Sequence, residues 1–300
     1  MIAIDLGSNT LRVVELDCTS GKFTAEYEKI VKTADGLAQT GMINDEAINR
    51  VINAILEAKT KMDFDSQTIK AVTTQALRSA KNSDEVLARI KDKTDISFEI
   101  ISGEEEANLT LLAVKKKLEE FQHASKSFVL IDIGGGSTEL IFSYPDQTIT
   151  RSFPIGIVTI AQSYETLKKI DEVLPSLMQS MEKFCSEVYA MYGKVDSLIA
   201  TAGTPTTVAA MKLGQSYTTY DAKKINGTSL QKDELDFFLK KLLAMPFESR
   251  EIAVGTGRSD LIAAGILIFK RLYEITEFEE CIVIDDGLRE GVALQECAKQ

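Results

Sequence analysis

The chain has 300 residues, 44% of them hydrophobic and 26% charged, which excludes disordered, collagen-like and coiled-coil architectures and leaves room for a sizeable core. At roughly 150 residues per domain, this length suggests two domains around one cleft. Lys+Arg 34 against Asp+Glu 45 gives a formal net charge of −11, a field that repels nucleic acid and anionic membrane, so a phosphate ligand has to be held locally by loop amides, a few arginines or a metal.

The N-terminus carries no basic, apolar leader pattern, and the longest apolar run, residues 262–269, is too short to span a bilayer. Cys18, Cys185, Cys281 and Cys297 stand far apart without a CxxC pair, as free reduced thiols of a cytoplasmic protein would. Cys185 falls on the apolar stripe Leu174, Leu177, Met178, Met181 and Val188, which makes core packing its default role. The single histidine, His123, lies in the polar stretch 122–127 and reads as an exposed linker residue. It leaves no multi-histidine metal site and no Ser-His-Asp triad unless it supplies the base itself.

The first element, residues 4–11 (IDLGSNTL), reads as strand, Asp, Gly turn, strand. A predicted strand at 69–73 follows, then Arg78 and a cap-like Asn82-Ser83-Asp84. Residues 102–107 (SGEEEA) open a helix whose apolar stripe is Ala107, Leu111, Val114 and Leu118. Ser102 and Glu105 have capping-box spacing, and the helix dipole accounts for Glu104. Glu106 is not explained in this way. One turn into the helix, beside the stripe, it has the place and chemistry of a base that orients and deprotonates water for attack on a terminal phosphate. Lys115, Lys116 and Lys117 read as a solvated face.

Residues 131–140 (IDIGGGSTEL) echo residues 4–11. In both copies the glycines are expected to permit positive φ and to bring backbone amides close to phosphate, and the strand-end Asp suits a hydrated Mg²⁺. One such turn alone is an ordinary hairpin; the repetition suggests duplicated halves gripping a phosphate chain. No Walker motif occurs, and a second strand at 139–144 rules out a Rossmann fingerprint. A helix to about residue 192, a strand at 195–200, a turn at 201–206 and another helix follow. Gly203 and Thr204 at that helix start form either an anion site or an ordinary cap. Arg258 lies in a Gly-rich loop before Ser259-Asp260, and the C-terminal theme is a strand at 281–285, a turn at 286–287 and a helix of Leu288, Val292 and Leu294. Arg12, Arg78, Arg258 and Arg289 are candidate phosphate clamps, each with a structural role as the alternative.

With residues 5–10, 74–82, 102–107, 131–140 and 287–291 in view, the sequence resembles the Ppx/GppA family of exopolyphosphatases and guanosine pentaphosphate phosphohydrolases over essentially its whole length. The resemblance implies an α/β fold of two ribonuclease H-like domains of the actin/Hsp70/sugar-kinase superfamily around a central cleft. The first domain would span residues 1–121 plus 287–300, and the second 122–286. The likeness places the catalytic glutamate on Glu106 and Mg²⁺ near Asp132 and Glu139. It puts phosphate at Gly7, Ser8, Asn9, Thr10, Arg12, Arg78, Gly134, Gly135, Gly136, Ser137, Gly203, Thr204 and Arg258. The implied activity is Mg²⁺-assisted release of the terminal phosphate of polyphosphate or guanosine pentaphosphate, with a homodimer as a family trait. Longer members add C-terminal helical domains, so a chain ending at Gln300 points to short polyphosphate or a nucleotide 5′-triphosphate. A phosphotransferase on the same fold and a non-catalytic sensor of these ligands are the alternatives.

Overall fold

A computed structural model describes residues 1–123 and 125–299. The chain forms two compact units: Met1–Ala113 with Asp286–Gln300, and Val114–Asp285. The division falls inside a helix, Gly103–Glu120, whereas the resemblance implies a boundary after residue 121.

The first unit is built on a five-stranded sheet in the order β3-β2-β1-β4-β5. Its strands are β1 (Ile2–Leu6), β2 (Thr10–Asp17), β3 (Lys22–Ile30), β4 (Ile69–Thr73) and β5 (Phe98–Ile100). β2 runs antiparallel to β1 and β3, whereas β4 and β5 continue parallel to β1. Strand β1 is buried throughout, as a central strand covered on both faces must be. One face packs Ala3, Val14, Leu16 and Val72 against Leu109 and against Leu288, Val292 and Ala293 of the C-terminal helix Leu288–Cys297. Gly291 allows this close packing, because a Cβ there would stand 1.9 Å from the Leu109 carbonyl oxygen.

The second unit repeats the plan with one extra edge strand, in the order β8-β7-β6-β9-β11-β10. Its strands are β6 (Phe128–Ile133), β7 (Thr138–Ser143), β8 (Thr148–Phe153), β9 (Ser197–Thr201), β10 (Thr228–Gln231) and β11 (Glu280–Val283). β6 pairs antiparallel with β7, and β7 with β8; β9 is parallel to β6 and β11 to β9, while β10 closes the edge antiparallel to β11. The expected strands at 139–144, 195–200 and 281–285 are thus present with boundaries moved by up to two residues. Behind this sheet the helix Ser259–Thr276 is almost wholly buried, which explains its apolar run. Among the described residues no single helix is long and apolar enough to cross a membrane.

Two sequence expectations are corrected. His123 is half-buried, with its amide donating to the Leu118 carbonyl at 3.0 Å, because the chain folds back on the helix end. The four cysteines are not all free: Cys18, just after β2, is bonded to Cys297 at the end of the C-terminal helix, with 5.3 Å between their Cα atoms. Packing of that helix on the first sheet brings together residues 279 positions apart, a proximity that local spacing could not reveal. The cytoplasmic placement therefore loses the argument from reduced thiols. Cys185 and Cys281 are free and buried, and burial pushes their thiols up to about 11 and about 12, so neither is a thiolate near neutrality.

A bridge closing so long a loop should stabilise the protein by about 5–6 kcal/mol in the chain-entropy picture. Thiol titration in denaturant without reductant is expected to find two thiols per chain, and four after a dithiol is added. The same reduction should lower the thermal midpoint by roughly 10–20 °C. A count of four before reduction would contradict the bridge.

Candidate functional site

Each unit opens with the same hairpin, and in both the following segment returns to hold the turn. In the first unit the Gly7 amide donates to the Thr10 carbonyl at 3.0 Å. The Ser8 carbonyl accepts from Ala34 N at 2.8 Å, and the Asn9 carbonyl accepts from Val31 N and Lys32 N, both at 2.9 Å. In the second unit Gly134 N donates to the Ser137 carbonyl at 2.9 Å. There the carbonyls of Gly134 and Gly135 accept from Ile157 N at 3.1 Å and Val158 N at 2.8 Å, the first amides of the helix Ile157–Ser163.

With the carbonyls occupied, the amides are the groups left over. Among the described residues no acceptor takes the N–H of Ser8 or Asn9 in the first loop, or of Gly135, Gly136 or Ser137 in the second. Successive N–H groups without internal acceptors form a concavity suited to anionic oxygen. The reason for the glycines differs from the expectation, since Gly7, Gly134, Gly135 and Gly136 all lie outside the positive-φ region. Close approach explains the second loop instead. A Cβ on Gly134 would lie 3.0 Å from the Ser137 carbonyl oxygen, and one on Gly156 would lie 2.4 Å from the Gly135 carbonyl oxygen.

The hairpins differ in the residue facing the strand-end Asp. In the first unit Asp5 is in register with Arg12, whose guanidinium lies 4.0 Å from the Asp5 carboxylate and donates to Glu28 at 3.1 Å. Burial works against the Arg12 charge, but Glu28 and Asp5 outweigh it and hold the guanidinium above its ordinary pKa. Arg289 is likewise engaged, with Glu290 and, at 3.6 Å, Glu26. Both arginines are thus paired with protein carboxylates.

In the second unit the residue in register with Asp132 is Glu139, so two carboxylates stand side by side on one face of the hairpin. Glu139 is buried, and its Oε1 accepts from Ser137 Oγ at 2.8 Å and Ser152 Oγ at 2.7 Å. Among the described residues no group of three or more His, Cys, Asp and Glu side chains comes together. Two oxygen donors of like charge therefore fit a hard cation that takes its remaining ligands from water and phosphate, as Mg²⁺ commonly does.

Elsewhere in this unit the helix Gly203–Lys212 begins with the N–H groups of Gly203 and Thr204, which have no intrahelical carbonyl. Ala202 before it adopts φ 71° and ψ −174°, a conformation that strains any residue with a Cβ. The Thr204 side chain is fully buried against Gly265, where a Cβ would come within 2.2 Å of its hydroxyl. Only its amide is left for an anion. Arg258 is buried and reaches the Gly203 carbonyl at 3.5 Å, bracing this helix start.

Glu106 is held by the first unit. Ser102 Oγ accepts from Glu105 N at 3.1 Å, as the cap spacing predicts, and Glu106 N donates to the Ser102 carbonyl at 2.9 Å. The Glu106 side chain is 12% exposed, and Arg78 Nη2 lies 2.9 Å from its Oε2. Arg78 comes from the short helix Gln75–Ser79, and its Nη1 also donates to the Ile101 carbonyl at 2.7 Å. An arginine expected to clamp phosphate is thus fixed to the carboxylate expected to activate water.

The repeated sheet order, the matching hairpins and their carbonyl-held loops define an α/β protein of two units built on one plan. Residues 15–300 match the model of the Ppx/GppA phosphatase family, and the chain belongs to that family of phosphoanhydride hydrolases. It is 26% identical to Exopolyphosphatase 2 of Mycobacterium tuberculosis over 97% of each chain. It is 26% identical to the guanosine-5′-triphosphate,3′-diphosphate pyrophosphatase of Photobacterium profundum, over 99% of this chain and 59% of that protein. The structure of the Aquifex aeolicus Ppx/GppA enzyme matches 98% of this chain and 98% of its own at 31% identity, with a TM-score of 0.75. An exopolyphosphatase from Cytophaga hutchinsonii shares the fold with a TM-score of 0.85 at 22% identity, over 99% and 97% of the two chains.

Proposed function

We propose that the chain hydrolyses the terminal phosphoanhydride of inorganic polyphosphate or guanosine pentaphosphate, with Glu106 as general base. The observation that carries this reading is a nearly buried carboxylate, fixed by Arg78 at a helix start, in a protein with a single histidine, His123. Glu106 orients a water and takes its proton as the oxygen attacks phosphorus. The loop amides of Ser8, Asn9, Gly135, Gly136 and Ser137 bind phosphate oxygens and stabilise charge that develops on them. Asp132, with Glu139 beside it, would hold Mg²⁺, which supplies neutralisation of phosphate charge.

Phosphate release tests the proposal. With Mg²⁺ present, purified protein is expected to release phosphate from short polyphosphate, long polyphosphate or guanosine pentaphosphate at matched terminal-phosphate concentration, and excess chelator should stop it. No release from any of the three would overturn the reading, and undiminished release in chelator would overturn the metal's part in it.

A further inference from the structure

We propose that Gln75 is a positioning residue for this hydrolysis, acting through Arg78 on the Glu106 carboxylate; the inference rests on the reading of Glu106 as the base. Gln75 and Arg78 lie three positions apart on one face of the helix Gln75–Ser79. Gln75 Oε1 accepts from Arg78 Nη2 at 3.1 Å and from Arg78 Nε at 3.3 Å. The same Nη2 reaches Glu106 Oε2 at 2.9 Å. Gln75 is itself anchored, its Nε2 donating to Ser79 Oγ at 2.8 Å. This fixes which end of the amide faces the arginine, because a guanidinium only donates.

The other edge of the guanidinium is held by the Ile101 carbonyl, and Ile101 N donates to the Thr73 carbonyl at 3.1 Å. The end of β4, the short helix and the start of the Glu106 helix are therefore one hydrogen-bonded assembly, in which Gln75 sets the plane of the guanidinium. Without its acceptor, Arg78 keeps the Ile101 bond but is free to turn about it, and the carboxylate turns with it. Near-attack geometry is sensitive to such displacement. Gln75 is half-buried and outside the hydrophobic core, so its removal should not unfold the unit.

The test compares Gln75→Met, which keeps the length and loses the acceptor, with Gln75→Glu, which keeps an acceptor, using wild type and Glu106→Gln alongside. Steady-state phosphate release is measured with the best of the three substrates above. Gln75→Met is expected to lower kcat about tenfold with KM within about twofold and an unchanged melting temperature, as loss of positioning predicts. Gln75→Glu should restore kcat to within about threefold of wild type. Wild-type kcat in Gln75→Met, a loss confined to KM, a lowered melting temperature, or no rescue by Gln75→Glu would each overturn the positioning role while leaving an inactive Glu106→Gln as support for the base. An active Glu106→Gln would overturn both.

Discussion

Glu106→Gln is expected to fold and to lose between about a hundredfold and ten-thousandfold in kcat, the range that general-base removal spans. The substitution is nearly isosteric and leaves an amide oxygen to accept from Arg78, so the geometry of the Ile101, Gln75 and Arg78 assembly persists. What disappears is the carboxylate that takes the proton. The guanidinium loses its counter-charge at a site where its side chain is 19% exposed, which should lower stability by about 1–3 kcal/mol. Thermal unfolding and phosphate release on the same preparation separate the two effects. A folded variant with turnover within a few fold of wild type would remove Glu106 from the chemistry.

Much of the fold is legible because its central strands announce themselves. β1, β6 and β7 are buried at every position, and their apolar runs flank the two Asp-Gly turns that reveal the repeat. The Glu106 helix start is legible from the Ser102 cap. Strands β3 and β8 are not, because each lies at a sheet edge where exposed polar residues outnumber buried ones and no clean alternation survives. The site is legible in its residue types more than in its pairings. Arg78 suits phosphate and carboxylate equally, and nothing local says that a carboxylate 28 residues later takes it. Gln75 gives no signal except its three-residue offset from Arg78. Spacing also hides the contrast between the hairpins: the Arg12 that neutralises Asp5 and the Glu139 that adds charge beside Asp132 emerge only from strand register.

Gly156→Ala is the second large effect, and it separates close packing from chain flexibility. Gly156 has φ −136° and ψ 171°, ordinary extended backbone that alanine adopts freely, so no conformational penalty is expected. Its added Cβ would stand 2.4 Å from the Gly135 carbonyl oxygen and 2.6 Å from Gly136 N, and rigid backbone, not a flexible side chain, has to move. The motion pulls the Gly134 and Gly135 carbonyls away from Ile157 N and Val158 N and displaces the amides of Gly135 and Gly136 that are proposed to bind phosphate. Overpacking of this kind lowers stability by about 1–3 kcal/mol. A shift approaching 1 Å in the binding loop should lower kcat/KM by about a hundredfold. Measured phosphate release and thermal unfolding should therefore both fall in Gly156→Ala. Unchanged values for both would mean that the loop is not held by the approach of Gly156, and that its glycines serve some other end.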